Sequence, residues 1–141
     1  MIHDVSTDAD DPPQFVALRE TRLQCRNGAD YSGGKQRHAG IEPRVFTQPR
    51  ERVFGAALDA ANALHWHIAA AAESEGRIEA TATTPLLRFK DDVVIRIRAH
   101  NSGSRLDIRS ASRVGSSDFG ANAKRIRAFL IELNNLLKTI T

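Results

Sequence analysis

The stretch from Phe89 to Arg125 constrains the fold more than any other part of the sequence. It predicts a strand, a tight turn, a second strand, a polar loop and the start of a helix. Side chains alternate between the two faces of a strand, so each strand here has one apolar face and one charged face. The predicted apolar face carries Val93, Ile95, Ile97, Ala99, Leu106 and Ile108.

A two-residue loop at Ser102-Gly103 predicts the register of this hairpin. It pairs Ile97 with Ile108 and Ala99 with Leu106, which matches the apolar faces. A slip by one residue would place Ile108 beside arginines, so that register is disfavoured.

The same register predicts the charge pairs on the opposite, outer face. Arg98 lies opposite Asp107, which is favourable, and Arg96 lies opposite Arg109. Like charges that face each other cost stability unless an acid or an anion lies between them. The sequence therefore predicts that Glu79 or another carboxylate, or else an external anion, neutralises this pair.

A second hairpin is predicted from residues 65–73 and 77–84. The loop Ser74-Glu75-Gly76 places Gly76 where a three-residue turn takes the left-handed conformation. The resulting register pairs Trp66 with Thr84, Ile68 with Ala82, Ala70 with Ala80 and Ala72 with Ile78.

Two amphipathic helices flank the hairpins. The first runs from Thr47 to Leu64, with Thr47 as N-cap and Pro49 in the first turn. The second follows a loop at residues 115–120, with Ser117 or Asp118 as N-cap, and runs to about Ile140. Their apolar stripes recur at helical spacing: Val53, Phe54, Ala57, Leu58, Ala61 and Leu64, then Ile126, Phe129, Leu130, Leu133, Leu137 and Ile140.

These elements predict an α+β fold with two layers. A four-stranded antiparallel sheet of two hairpins carries both amphipathic helices on one face. Residues 1–46 are expected to form an extended N-terminal arm and loop packed on the body, and residues 47–141 the α-β-β-β-β-α domain. The arm is acidic, contains Pro12-Pro13, and continues into a short helix expected at 15–26.

Length and composition exclude several protein classes. The chain of 141 residues predicts one domain, and its formal net charge of +3 is mild for a nucleic-acid binder. The sequence contains no run of about 18 apolar residues, so no transmembrane helix is predicted. No secretory signal is expected in this chain. The single cysteine, Cys25, excludes an internal disulfide.

Four motifs give the chain a family resemblance. They are D-D-P-P-x-F at residues 10–15, E-A-T-x-T at 79–83, F-K-D-D-V-V-x-R at 89–96, and a long pattern at 107–129 that begins D-x-R-S-x-S-R-x-G. In these motifs the chain resembles the bacterial and plastid domain-of-unknown-function family numbered 1499. The resemblance implies a place in a bacterial cell envelope or a plastid. It implies no catalytic residues, since none is established for the family.

The first candidate site is a polar cluster expected at one end of the sheet. Strand starts, the polar loop and a helix N-terminus with cations beside it would suit an anion. Paired carboxylates could instead hold Mg²⁺ or Ca²⁺ or perform acid–base chemistry. A structural network of ion pairs is the third interpretation. The cluster comprises Lys90, Asp91, Asp92, Arg113, Ser117, Asp118, Asn122 and Arg125.

The second candidate is the outer face of the sheet, whose polar and basic side chains could contact a partner or an anionic surface. The simpler expectation is that this face is solvated. It has no aromatic residue for base stacking, which argues against nucleic acid. His65 and His67 on the same strand could hold Zn²⁺ or Cu²⁺, but no third ligand is evident. The charged and hydroxyl residues of this face are Glu79, Thr81, Thr83, Arg96, Arg98, Asp107 and Arg109.

The sequence thus predicts a non-catalytic binding or accessory domain with no cofactor and no metal. Its partner would be an anionic small molecule or an envelope protein. The alternatives are an enzyme that uses Asp91, Asp92 or Asp118 with Arg113 as electrostatic stabiliser, or a structural network in a protein–protein module.

Overall fold

A computed structural model describes residues 2–28, 30–35, 38–115 and 118–138. The strands are β1 (Asp4–Ser6), β2 (Arg44–Phe46), β3 (His67–Ala72), β4 (Arg77–Thr83), β5 (Lys90–His100) and β6 (Gly103–Ser112). The helices are α1 (Arg19–Leu23), α2 (Arg50–Ala63) and α3 (Ala121–Lys138), and a short 3₁₀ helix spans Glu73–Glu75.

The strands form one antiparallel sheet in the order β1-β6-β5-β4-β3, and β2 pairs with β6 beside β1. The prediction of an α+β fold with an antiparallel sheet is confirmed. The prediction of four strands is wrong, because β1 and β2 add two strands from the first 46 residues. Each of these strands has three residues, which is too short for an alternating pattern to indicate it.

The main core lies between the sheet and the two long helices. The apolar face of β5 and β6 packs against the apolar stripes of α2 and α3, and the ring of Trp66 stacks on Phe129 at 5.5 Å. The predicted stripe of α3 is confirmed from Ile126 to Leu137, and Ile140 lies outside the described residues.

The outer face of the sheet is covered as well. The N-terminal segment, residues 2–28, crosses it and packs Phe15 and Leu18 onto Val94 and Ala111. The prediction of a solvated face is therefore wrong, because this segment excludes water from most of it. The charged residues Glu79, Asp107 and Arg109 of the outer face are fully buried.

The turn between β5 and β6 lies one residue earlier than predicted. The loop is Asn101–Ser102, and Asn101 has a φ of 53°, a conformation that asparagine tolerates well. The register moves by two residues, which keeps the apolar faces matched, but the individual predicted pairs are wrong. The observed pairs include Ile97 with Leu106, Ile95 with Ile108, Arg96 with Asp107 and Arg98 with Arg105.

The predicted register of β3 and β4 is also wrong. Gly76 takes the left-handed conformation as predicted, with a φ of 65°. The 3₁₀ helix before it changes the connection between the strands, so that Ala72 pairs with Arg77. An irregularity between Ile68 and Ala70 then shifts the pairing again. The pairs observed are Ala71 with Ile78, Ala70 with Glu79, Ile68 with Ala80 and His67 with Thr81.

The N-cap of helix α2 lies two residues later than predicted. Pro49 occupies the N-cap position with extended backbone angles, and no side chain caps the helix. Thr47 is therefore not the N-cap. A proline fits here because its fixed φ leads into the helix and its missing N–H is not needed.

Two glycine substitutions test the packing of β2 and α2. A Cβ at Gly103 would meet the backbone oxygen of Phe46, whereas a Cβ at Gly55 would meet nothing. We expect Gly103→Ala to lower the free energy of unfolding by about 1–3 kcal/mol. Gly55→Ala should raise it by about 0.5–1 kcal/mol, because alanine is the better helix former. Urea denaturation measures both changes. If Gly103→Ala left the free energy of unfolding unchanged, β2 would not lie against this turn.

Candidate functional site

The structure divides the polar cluster predicted for the end of the sheet between its two faces. Asp91 and Asp92 are neighbours in β5, so their side chains point in opposite directions. Asp91 lies with Asn122 and Arg125 on the helix side, and Asp92 lies with Arg113 on the outer side. The two carboxylates therefore cannot act on one ligand or one metal ion.

The helix-side cluster is a closed hydrogen-bond network. Nη1 of Arg125 lies 2.8 Å from the Asp91 carboxylate and donates to the Ser110 hydroxyl and the Asn122 side-chain oxygen. The Asn122 amide nitrogen donates to the Ser112 hydroxyl at 2.9 Å. Asp91, Ser110 and Asn122 are buried, so each polar group has its partner within the protein.

Asp118 supplies the cap of α3. Its carboxylate accepts hydrogen bonds from the backbone N–H groups of Gly120 and Asn122 and from the Asn122 side chain. Acceptors at this position satisfy N–H groups that the first helical turn leaves open. Ser117, the other predicted cap, lies outside the described residues. The Lys90 side chain is exposed, and among the described residues its ammonium group makes only a long contact, 3.5 Å, with the Thr83 hydroxyl.

The outer-side cluster is centred on Asp92. Arg113 donates to both carboxylate oxygens at 2.9 Å, Arg22 donates at 3.1 Å, and the Thr81 hydroxyl donates at 2.8 Å. The hydrogen bond with Asp92 raises the pKa of Arg113 above its usual value. Asp92 and Arg22 are both fully buried, which makes this pair a structural element between the sheet and α1.

Glu79 anchors the loop that precedes α1. Its carboxylate accepts hydrogen bonds from the backbone N–H groups of Val16, Ala17 and Leu18 at 2.8–3.0 Å, and Arg77 donates at 3.0 Å. Three backbone donors and one arginine satisfy a buried carboxylate fully. Glu79 therefore binds the N-terminal segment and does not neutralise the arginines farther along the sheet.

Two other acids neutralise those arginines. Asp107 lies within ion-pair distance of Arg96, Arg98 and Arg105, and Asp8 contacts Arg96 and Arg105 from the N-terminal segment. The pKa of Arg105 is raised, chiefly by its hydrogen bond to Asp107. The like-charged pair that needs this compensation is Arg98–Arg105, where the sequence predicted Arg96–Arg109.

Arg109 is held in a separate, fully buried arrangement. Its guanidinium donates to both carboxylate oxygens of Asp4, at 3.0 and 2.9 Å, and to the carbonyl of Pro13. The guanidinium groups of Arg109 and Arg22 both lie over the Phe15 ring, 4.8 and 4.7 Å from its centroid. The charges of the outer face thus hold the N-terminal segment, and within the described residues they present no open anion site.

An apolar pocket opens at the same end of the sheet as Asp91. Its volume is about 270 Å³, and it lies between the loop at residues 84–89 and the loop that leads into α3. Asp91, Ser112 and Asp118 contribute polar groups to its wall, but each is already bound within the protein. The apolar lining comes from Pro85, Leu86, Leu87, Phe89, Val114, Phe119 and Ala121.

A second cavity, of about 350 Å³, lies on the other side of the same loop. Its lining is more polar and includes His65, His67, Arg88 and Arg125. His65 and Arg88 both have positive φ values, 62° and 59°, which are rare for these residues. Thr81, Thr83 and Thr84 also line the cavity, whose cationic side chains suit an acidic group better than an apolar one.

The two histidines have no metal-site geometry around them. In the part of the chain that the structure describes, no group of three or more histidine, cysteine or acidic residues could hold a metal ion. None of the described helices is long and apolar enough to cross a bilayer.

Comparison with known proteins gives a family but no activity. Residues 4–133 match the model of the family described as "Protein of unknown function (DUF1499)". No curated protein matches the sequence.

The structure resembles several solved structures at low sequence identity. The crystal structure of Ara h 8.0201 matches with a TM-score of 0.52 and 12% identity, over 69% of this chain and 95% of that one. CV1439 from Chromobacterium violaceum matches with a TM-score of 0.45 and 16% identity, over 67% and 90%. TTHA0849 from Thermus thermophilus gives 0.42 and 11%, over 70% and 96%. The first likeness concerns the fold alone, and the other two add nothing to it.

Sequence reasoning missed the partners that the N-terminal segment supplies and the apolar lining of the pocket. Asp4, Asp8 and Arg22 could have been matched by charge to the arginines and the acid of the outer face. No role was predicted for Leu86 and Leu87, which only Arg88 separates from Phe89. Three large apolar residues within four positions of a loop were the available signal.

Proposed function

This chain belongs to the DUF1499 family, and we propose that it is a non-catalytic binding domain for a small amphiphile. The apolar body of the ligand lies in the pocket beside Phe89, and its acidic group faces the cations of the neighbouring loop and cavity. The observation that carries the proposal is the apolar pocket itself, whose acidic wall groups are bound within the protein.

The character of the pocket favours an apolar ligand body. A concave site lined by apolar and aromatic side chains with a few polar groups is typical of small-molecule sites, and about 270 Å³ suits a small ligand. Phe89 and Val114, which are 48% and 43% exposed, form walls that a ligand would shield from water.

The surrounding charge favours an acidic head group. Arg88 precedes Phe89 and lines the neighbouring cavity, and Lys124 is exposed three residues after Ala121, which lines the pocket. The two acids in the wall, Asp91 and Asp118, are occupied by Arg125 and by the start of α3. Because both acids are engaged within the protein, the exposed charge near the opening is cationic, which favours an anion.

The enzyme hypothesis gains no support from the positions of its acids. Asp92 is buried on the opposite face from Asp91, and Asp118 is engaged in capping α3. An acid–base mechanism needs a carboxylate within reach of substrate. Arg113, the proposed stabiliser, donates to Asp92 through both Nε and Nη2.

We retain the bacterial cell envelope as the proposed place of action. The family resemblance supports it, and an amphiphilic ligand is consistent with it. Immunodetection in fractionated cells that express the native gene tests this part of the proposal. Signal confined to the cytosolic fraction would contradict it.

Calorimetric titration with decanoate and with decanol tests the ligand class. We expect decanoate to bind more tightly than decanol, because only decanoate carries a charge. Val114→Asp should weaken decanoate binding by at least about tenfold, since it places a carboxylate in the apolar wall. Arg88→Gln should narrow the difference in affinity between decanoate and decanol.

Ile131→Asp is the matched control, because Ile131 is 63% exposed on α3 and lies ten residues along the helix from its start. It should bind decanoate like the parent protein. Absence of binding by the parent, or equal losses in Val114→Asp and Ile131→Asp, would refute the proposed pocket.

A further inference from the structure

The pocket does not account for the most exposed apolar residues around it. Leu86 is 89% exposed and Phe119 is 96% exposed, and both project from loops at the rim of the pocket. A ligand small enough for about 270 Å³ cannot cover side chains that protrude this far. A larger apolar environment is needed to remove them from water.

The exposed apolar residues are concentrated at this end of the molecule. The described chain has nine large hydrophobic residues that are clearly exposed, and five of them line this one pocket. Scattered single residues of this kind need no explanation, but a contiguous patch marks an interaction surface. We call these five residues the apolar rim: Leu86, Leu87, Phe89, Val114 and Phe119.

We propose that the apolar rim docks onto a membrane surface that contains anionic lipids. Its side chains enter the boundary between head groups and acyl chains, and the surrounding cations contact lipid phosphates. This inference goes beyond the proposed function, because a protein can dock on a bilayer whether or not its pocket holds a ligand.

The charges beside the rim favour a lipid surface over an apolar protein partner. Arg88 lies within the rim sequence between Leu87 and Phe89, and Lys124 is exposed in the first turn of α3, three residues after the pocket-lining Ala121. No described residue from 84 to 90 is acidic, and Asp91 is buried in its ion pair with Arg125. Apolar side chains interleaved with cations are the pattern of peripheral proteins that bind anionic membranes.

The backbone of the rim loop is arranged to present these side chains. The Thr84 N–H donates to the Phe89 carbonyl, and the Thr84 hydroxyl accepts from the Phe89 N–H, both at 2.8 Å. The Arg88 N–H donates back to the Thr84 carbonyl. These bonds close residues 84–89 into a compact loop, so Leu86 and Leu87 lie at its tip and point outward.

Co-sedimentation with vesicles tests the proposal. One set of vesicles contains phosphatidylcholine alone, and the other contains equimolar phosphatidylcholine and phosphatidylglycerol. We expect binding to the mixed vesicles, and a decrease as salt is added. The double variant Leu86→Asp/Leu87→Asp should bind at least about tenfold more weakly, because two charged side chains replace two that enter the bilayer. Arg88→Gln/Lys124→Gln should bind the mixed vesicles about fivefold more weakly for each cation removed.

Val45→Asp/Ile131→Asp is the control, since it places the same number of charges at exposed apolar positions away from the rim. It should bind vesicles like the parent. A parent protein that binds neither vesicle, binds both equally, or loses as much binding in the control would overturn the proposal. So would a parent that is dimeric in size-exclusion chromatography and becomes monomeric in Leu86→Asp/Leu87→Asp without vesicle binding, because a second copy would then cover the rim.

The two proposals fail in different ways. Decanoate binding without vesicle binding would leave the pocket and remove the docking surface. Vesicle binding without decanoate binding would do the reverse.

Discussion

Asp92→Ala is expected to lower the free energy of unfolding by about 3–5 kcal/mol. The substitution leaves the guanidinium of Arg22, which is 1% exposed, buried without its counter-charge. One nitrogen of that guanidinium, Nε, already lacks an acceptor among the described residues, so little compensation is at hand. A loss of this size should lower the melting temperature by on the order of 10 °C or more.

Urea denaturation followed by circular dichroism measures this effect, with Arg98→Ala as its control. Arg98 is exposed and, among the described residues, has a single ion pair, with Asp107 at 3.9 Å, so its loss should cost less than about 1 kcal/mol. Arg113→Ala should cause an intermediate loss in the free energy of unfolding, about 1.5–3 kcal/mol, because Arg22 still balances the charge of Asp92. If Asp92→Ala cost no more than Arg98→Ala, the network would not be structural and a functional role for Asp92 would gain support.

Phe15→Ala is expected to release the N-terminal segment from the sheet. The ring is 3% exposed and contacts the buried guanidinium groups of Arg22 and Arg109, so its removal leaves a cavity beside both cations. Truncation of a buried phenylalanine costs about 3–5 kcal/mol. Loss of the cation–π contacts contributes to that cost.

Hydrogen exchange at residues 16–18 measures the release of the segment, because Glu79 binds their three backbone N–H groups. Exchange there should accelerate by at least about a hundredfold, since local opening follows the lost free energy. Val16→Ala is the control at the neighbouring, exposed position. Unchanged exchange in Phe15→Ala would show that the segment is held by its ion pairs alone.

Local patterns predicted the parts of the fold that depend on local physics. The alternation in β5 and β6 placed Val93, Ile95 and Ile108 on the core face correctly, because parity survives a shift of two residues. The apolar stripes of α2 and α3 predicted the buried faces of these helices, because the helical period depends only on local sequence. The register of β5 and β6 was missed because it depends on which residues form the turn at Asn101–Ser102. The register of β3 and β4 was missed because it depends on the 3₁₀ helix and on the irregularity between Ile68 and Ala70. Neither periodicity nor charge decides these features.

The candidate site was less predictable, since its parts meet only through the tertiary fold. Parity alone separates Asp91 from Asp92, so grouping them in one site neglected a constraint that the sequence contains. The docking of Asp4, Asp8 and Arg22 on the outer face depends on contacts across about 70 to 105 residues, which no local pattern reports. The pocket arises where two loops of different sequence meet at one end of the sheet.

Strand β1 lies near the start of the chain, yet it pairs with β6, the last strand. Asp4 is translated 105 residues before Arg109, the side chain that it binds. During synthesis the N-terminal segment therefore has no sheet edge to join until β6 has left the ribosome. The charged outer face of the sheet stays in water until then, because the N-terminal segment that covers it is synthesised first and docks last. Anything that holds residues 2–28 elsewhere during synthesis would delay closure of that face.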